Sequence, residues 1–156
     1  MLRVFLCVLA VAACTGIAYL FTRKHKQRML FFYNLDLFNE RLVNEVSYTR
    51  VPLPAFIEKY EFGGDFKKML QEKRASDFGT ENYGFSYLTP DERKFLSDYF
   101  LLVGRSDAAS QRTYLSAVRE EIAGRRRSAE EIYKKYFSLY MKLGFLAGLV
   151  LAVLIV

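Results

Sequence analysis

Residue types that could do chemistry are few and scattered along the chain. Its 156 residues include one histidine, His25, and two cysteines, Cys7 and Cys14. A catalytic nucleophile needs a base within hydrogen-bond reach, and a zinc site needs three or four ligands brought together. His25 stands inside Arg23-Lys24-His25-Lys26-Gln27-Arg28 and reads as part of a positive flank. Cys7 and Cys14 lie one heptad apart on a single helix, too far apart to bridge. They read as small apolar residues on a packing face. The pairs Glu120-Glu121 and Glu130-Glu131 could serve general acid/base catalysis, but each lies near basic residues on a helix surface. Ion pairs four residues apart, Glu121 to Arg125 and Glu130 to Lys134, are the plainer reading. Arg125-Arg126-Arg127 could grip a phosphate or an acidic partner; a solvated face that adds to the positive flank is the simpler account. The sequence contains no nucleophile elbow, phosphate loop, HExxH or CxxC pattern. The expectation is a non-enzyme with no catalytic residue, no metal, no cofactor and no small-molecule substrate.

What must be positioned, then, is the chain itself. It is 52% hydrophobic and 26% charged, which excludes both a disordered chain and a wholly embedded one. Residues 4–22 carry no charge, and at 1.5 Å per residue they reach roughly 29 Å, enough to cross the hydrocarbon core. A secretory signal is the alternative, and Val11-Ala12-Ala13-Cys14 resembles a lipoprotein cleavage site. However, only Arg3 precedes the run, the run continues past Cys14 to Thr22, and the bases follow it. A retained helix is expected. Residues 143–156 are also uncharged but reach only about 21 Å. They suffice if the span begins near 137, so that Phe137, Leu139, Tyr140 and Met141 join it and Lys142 snorkels.

Charge sets the expected topology. Residues 23–28 hold four Lys/Arg and no acid, and 125–142 hold six with two acids. The intervening 29–124 holds twelve bases and fifteen acids. The excess positive charge therefore lies beside the two spans, which places 23–142 in the cytoplasm and both termini across the membrane. The expected division is 1–22, 23–142 and 143–156. A slightly acidic body argues against nucleic acid as a partner; the juxtamembrane bases are suited to anionic lipid head groups.

The cytoplasmic part reads as helices. Phe31, Leu35, Phe38, Leu42 and Val46 recur at spacings of four, three, four and four, one seam continuing the first membrane helix. Pro52 ends that element and Pro54 suits the first position of the next. A helix or helix pair covers about 54–75, broken at Gly63-Gly64, and 76–88 is a loop anchored by aromatics. Thr89-Pro90-Asp91-Glu92 is a capping box opening a helix that stops at Gly104, with Ser106 or Asp107 capping the last one. Leu115, Val118, Ile122, Arg125, Ala129, Ile132, Tyr136 and Leu139 form a second seam that Leu143 continues into the membrane. The expected fold is all-α: an antiparallel, membrane-anchored helical hairpin with a small helical head. Gly144 and Gly148 make a small-xxx-small motif suited to close helix approach and to a protein that assembles. The aromatics Phe31, Phe32, Tyr33, Phe78, Tyr83, Phe85 and Tyr87 read as core first and as a partner surface second.

These residues resemble the stage III sporulation protein AB family. Glu45-Val46-Ser47-Tyr48-Thr49-Arg50-Val51-Pro52-Leu53 is similar to the family's Glu-Ile-x-Tyr-Gly-x-Thr-Pro-Leu pattern, with Glu45, Tyr48, Pro52 and Leu53 matching. Gly104, Asp107 and Gln111 match its Leu-Gly-x-x-Asp-x-x-x-Gln segment, and Leu143-Gly144 through Gly148 its entry into the membrane. Thr49, Val51 and Val103 depart from the pattern. The resemblance implies a non-enzymatic protein of a complex in the mother-cell membrane facing the forespore. It further implies a cytoplasmic domain like those of type II secretion and type IV pilus platform proteins. The implied partners are a secretion-type ATPase, stage III sporulation protein AA, and other membrane proteins of the complex. The competing reading is a membrane helical-hairpin scaffold unrelated to sporulation.

Overall fold

The computed structural model describes residues 2–48, 52–75, 84–103 and 108–155. Those residues form helices α1 (Leu2–Tyr48), α2 (Leu53–Lys59), α3 (Gly64–Ala75), α4 (Pro90–Leu102) and α5 (Ala108–Ile155), and no strand occurs among them. The all-α class expected from the periodicity is the one observed. The chain divides into two compact units, Met1–Lys26 with Ala129–Val156, and Gln27–Ser128.

In the first unit α1 and α5 run antiparallel. His25 stacks flat on Tyr136 with ring centroids 4.5 Å apart, Phe21 meets Tyr140 at 6.1 Å, and the Cys7 thiol donates to the Ala152 carbonyl over 3.6 Å. Two glycines set how close the helices come. A Cβ at Gly144 would lie 2.6 Å from Ala18 Cβ, and one at Gly148 would lie 2.7 Å from Val11 Cα. The α1 contact row, Cys7, Val11, Cys14, Ala18, Phe21 and His25, alternates four and three. On α5 the contact follows Tyr136, Tyr140, Gly144 and Gly148 instead of the seam expected through Leu139 and Leu143, which are 45% and 52% exposed. A straight helix drifts by ∼20° per heptad from a 3.5-residue repeat, and the missing side chains at 144 and 148 draw the contact onto the glycine row.

Both long helices are long and apolar enough to cross a membrane, and only 11% of each apolar stretch is buried. The core helix of a soluble protein would be mostly buried. Exposed apolar surface on this scale has to be covered by lipid or by protein, and the chain is a membrane protein.

The second unit closes around aromatic rings. Phe38 is fully buried, and its ring lies within 5.3–6.5 Å of Phe56, Phe62, Phe66, Tyr99 and Phe100, contributed by α2, α3, α4 and the α2–α3 turn. Phe31 packs edge-on against Phe66 and within 5.7 Å of Phe85. Truncating such a side chain to alanine costs about 3–5 kcal/mol. Of the expected α1 seam, Phe31, Leu35, Phe38 and Leu42 are buried here, and so are Leu115 and Ile122 of the α5 seam; Ala129 of that seam is buried in the first unit. Phe32 joins this core, whereas Tyr33 is 46% exposed.

Local signals act as their chemistry requires. Thr89 accepts from the Glu92 N–H while the Glu92 carboxylate accepts from the Thr89 N–H, completing the capping box at the start of α4. Pro52 is the N-cap of α2 and Leu53 its first residue, one position before the expected Pro54. Gly64 opens α3 at φ 57°, a conformation that glycine adopts without strain. The expected caps at Gly104, Ser106 and Asp107 and the aromatics Phe78 and Tyr83 lie outside the described residues.

Candidate functional site

The family-like motif residues Glu45, Pro52 and Leu53 form one local device. Glu45 lies three residues before the end of α1 and is 6% exposed. Pro52 then turns the chain, its carbonyl accepting from the Phe56 N–H at 3.0 Å, and half-buried Leu53 begins α2. Seven residues of helix return Lys59 and Tyr60 to Glu45, which accepts from the Lys59 ammonium and, at 2.6 Å, from the Tyr60 hydroxyl. The hydrogen bond to Glu45 pushes the Lys59 pKa up. The motif thus folds α2 back onto the end of α1. Tyr48 closes α1; its side chain, Gly104 and Asp107 lie outside the described residues. Gln111 is half-buried near the start of α5. Gly144 and Gly148 belong to the other unit and serve the helix contact there, so the small-xxx-small face is occupied within the chain.

A second set of groups, not singled out in the sequence, crosses between helices inside the head. The Asn39 amide donates to the Leu115 carbonyl at 3.2 Å and accepts from the Tyr99 hydroxyl at 3.0 Å. All three residues are fully buried, so this polar contact fixes α1, α4 and α5 in one register. Burial raises the Tyr99 pKa well above that of a free phenol. The signal in the sequence is Phe32 and Asn39, one heptad apart beside the seam of Phe31 and Phe38; a polar residue there points to a buried hydrogen bond.

Arg28, Arg125 and Arg126 pair with the chain's own carboxylates. Arg28 donates through Nε and Nη2 to Glu92, at 2.9 and 2.6 Å, and so ties α1 to the capping box of α4. Arg125 reaches Asp91 at 2.9 Å and Glu121 at 2.8 Å, with its guanidinium 4.3 Å over the Phe95 ring. The one charged member of the α5 seam therefore earns its place by stacking and pairing. Arg126 pairs with Asp36 at 2.8 Å and lies over Tyr33. The expected surface pair Glu130–Lys134 forms at 2.7 Å.

Two hydroxyls in the apolar unit are satisfied along their own helix. The Thr15 hydroxyl donates to the Val11 carbonyl and that of Thr22 to the Tyr19 carbonyl, both at 2.7 Å. Among the described residues no three His, Cys, Asp or Glu side chains come together as a metal site. The groups built here hold helix to helix: ion pairs and capped turns in the head, glycine contacts in the apolar hairpin.

No curated protein and no solved structure matches the chain. The sequence model of the stage III sporulation protein AB family matches residues 3–156; the chain belongs to that family, and its role lies in sporulation.

Proposed function

We propose that this chain is a non-enzymatic, two-pass platform in the mother-cell membrane facing the forespore. Residues 1–22 span the bilayer, as do 143–156 with a start near 137; the residues between the two spans are cytoplasmic, and the head docks a secretion-type ATPase, stage III sporulation protein AA. Other membrane proteins of the same complex pack around the spans. The observation that supports this reading is the sharing of the long helices. Helix α1 supplies residues 2–26 to the apolar unit and 27–48 to the head, and α5 supplies residues to both in the same way. The bases beside the spans support the orientation.

The docking surface proposed for the ATPase lies in the head, around residues 59–87. Phe62 and Phe66 are buried there, while Glu61, Lys67, Lys68, Gln71 and Glu72 are exposed. A partner at that place meets charged and polar groups on α3, and its association falls with salt. Co-purification of the ATPase with the detergent-extracted chain is the direct test. Wild type should retain it at low salt, and charge reversal at Lys67 and Glu72 together should release it. Retention unchanged by both salt and charge reversal would remove α3 as the docking face; no retention at all would remove the ATPase.

A further inference from the structure

Inside the head, α5 has two edges of opposite charge. Arg112 and Arg119 are seven residues apart and share a line with Arg126, which pairs with Asp36 of α1. Arg127 follows about 100° round, toward solvent. Arg112, Arg119 and Arg127 are exposed, and among the described residues no carboxylate pairs with any of them. The other edge borders α4, and Glu121 on it lies about 160° round α5 from Arg119. There Asp91 and Glu121 share the single guanidinium of Arg125, at 2.9 and 2.8 Å. Exposed Asp98 has no basic partner among the described residues. It lies close enough to Tyr114 that its charge, after burial, raises that hydroxyl's pKa. Lys94 stands apart from this edge, about 100° round α4 from Phe95, the ring under Arg125. One edge thus offers three unpaired guanidiniums, and the other holds three carboxylates to one guanidinium.

The two sets also match in level. Arg125 reaches Asp91, and the Tyr99 and Tyr114 rings lie 6.3 Å apart, so α4 runs antiparallel to α5. Asp98 lies seven residues, about 10 Å, along α4 from Asp91, which sets it level with Val118, seven residues before Arg125. Arg119 is therefore one residue from the level of Asp98, and Arg127 two residues from that of Asp91. Helix α5 is continuous from Ala108 to Ile155, and copies inserted in one bilayer point it the same way. Groups that meet between such copies must share a level, and these do.

We propose that the two edges form an interface between copies of this chain. The arginine edge of one head receives the acidic edge of the next, with Arg119 beside Asp98 and Arg127 beside Asp91. The partner is a second copy because the head itself carries the matching edge, opposite in sign and equal in level. Different surfaces meet, so the contact is heterologous and each pair leaves one edge of either sign free for a further copy. Exposed ion pairs are weak singly; confinement to one bilayer raises the effective concentration at which they meet. The proposal rests on the reading of the chain as membrane-spanning.

The test uses the full chain in liposomes, with Cys7 and Cys14 replaced by alanine and a fluorophore attached through Lys67→Cys. Association is read as energy transfer between donor-labelled and acceptor-labelled copies. The otherwise unchanged chain should associate, and less so as salt rises. Arg119→Glu and Asp98→Lys should each weaken association about fivefold, because a surface ion pair becomes a like-charge pair. The double variant exchanges the two signs and should restore association, which damage to the fold would not do. A mixture of the two single variants keeps one intact contact, between the arginine edge of Asp98→Lys and the acidic edge of Arg119→Glu. It should stop at two copies, counted by stepwise photobleaching. Association indifferent to salt and to both reversals overturns the interface, and so does a double variant no better than either single one. Weakening by Arg119→Glu but not by Asp98→Lys gives the arginine edge to a different acidic protein and overturns the second copy as its occupant. Release of the chain from membranes by alkaline carbonate would overturn the spanning reading and this interface with it; a chain that resists carbonate and ignores both reversals overturns the interface alone.

Discussion

Tyr99 shows how a single buried group couples this fold to pH. Its hydroxyl donates to Asn39, its side chain is fully buried, and burial holds its pKa well above the ordinary value of 10.0. The folded state thus favours the neutral phenol. The stability it contributes is fully present below the unfolded pKa and is lost as pH rises toward the folded one. Unfolding should therefore become easier above about pH 10, and phenolate absorbance from Tyr99 should emerge only with unfolding. In Tyr99→Phe the alkaline loss of stability should be shallower. The same variant strands the Asn39 carbonyl oxygen in the core and should cost about 1–3 kcal/mol at neutral pH, read from denaturant unfolding of the head.

At the scale of elements, the start of α4 separates a local signal from a tertiary one. Thr89→Ala removes one cap and should cost about 1 kcal/mol. Glu92→Ala removes the other half of the box and also leaves Arg28, whose side chain is 16% exposed, without its carboxylate. Loss of one partner from a largely buried pair costs about 3–5 kcal/mol. Glu92→Ala should therefore exceed Thr89→Ala by about 2 kcal/mol or more, and equal losses would mean that the Arg28 contact contributes little. The hairpin offers a matching contrast among glycines. A methyl at Gly148 meets the Val11 backbone, while one at Gly16 meets nothing within 4 Å. Gly148→Ala should lower hairpin stability by about 1–3 kcal/mol through overpacking. Gly16→Ala should leave it unchanged or raise it slightly through helix propensity, both followed by thermal unfolding in detergent.

For the whole molecule, the testable quantity is orientation. Ten Lys/Arg lie within 23–28 and 125–142, and positive flanks stay in the cytoplasm. In a chain with Cys7 and Cys14 replaced by alanine, cysteines at the exposed positions Lys67 and Ser116 should resist a membrane-impermeant thiol reagent in intact cells and react after lysis. Labelling before lysis would invert the topology. Mechanical function is tested separately by a Gly-Ser-Gly-Ser insertion after Lys135, a stretch of α5 without Gly or Pro. If the helix transmits motion between an ATPase and the bilayer, forespore development should stop while the ATPase still co-purifies. Normal development would show that docking, not transmission, is the chain's role.

Much of this was legible in residue order, because the deciding physics is local. Hydrophobic runs of membrane length, three-four spacing of apolar residues, a Thr-Pro-Asp-Glu start and charge excess beside the spans each act within a few residues of themselves. They determined an all-helical membrane chain with its core on Phe31, Leu35, Phe38 and Leu42, and the motif around Glu45, Pro52 and Leu53 pointed to the family. What only the tertiary structure decided depends on which residues meet across helices far apart in sequence. Arg125 broke the seam on paper and proves to stack on Phe95 and pair with Asp91, thirty-four residues away. Asn39 looked like one polar residue on a helix until Tyr99 and Leu115 were brought to it. Leu139 fitted the repeat and is exposed, because 3.6 residues per turn and two side-chain-free glycines shifted the contact row. Lys142 looked like the edge of a span, and only the pairing of Gly144 with Ala18 sets it level with residues 19–20 of α1. Spacing along one helix states which face is apolar; the depth and partner of each side chain are set by the register between helices, which close packing alone selects.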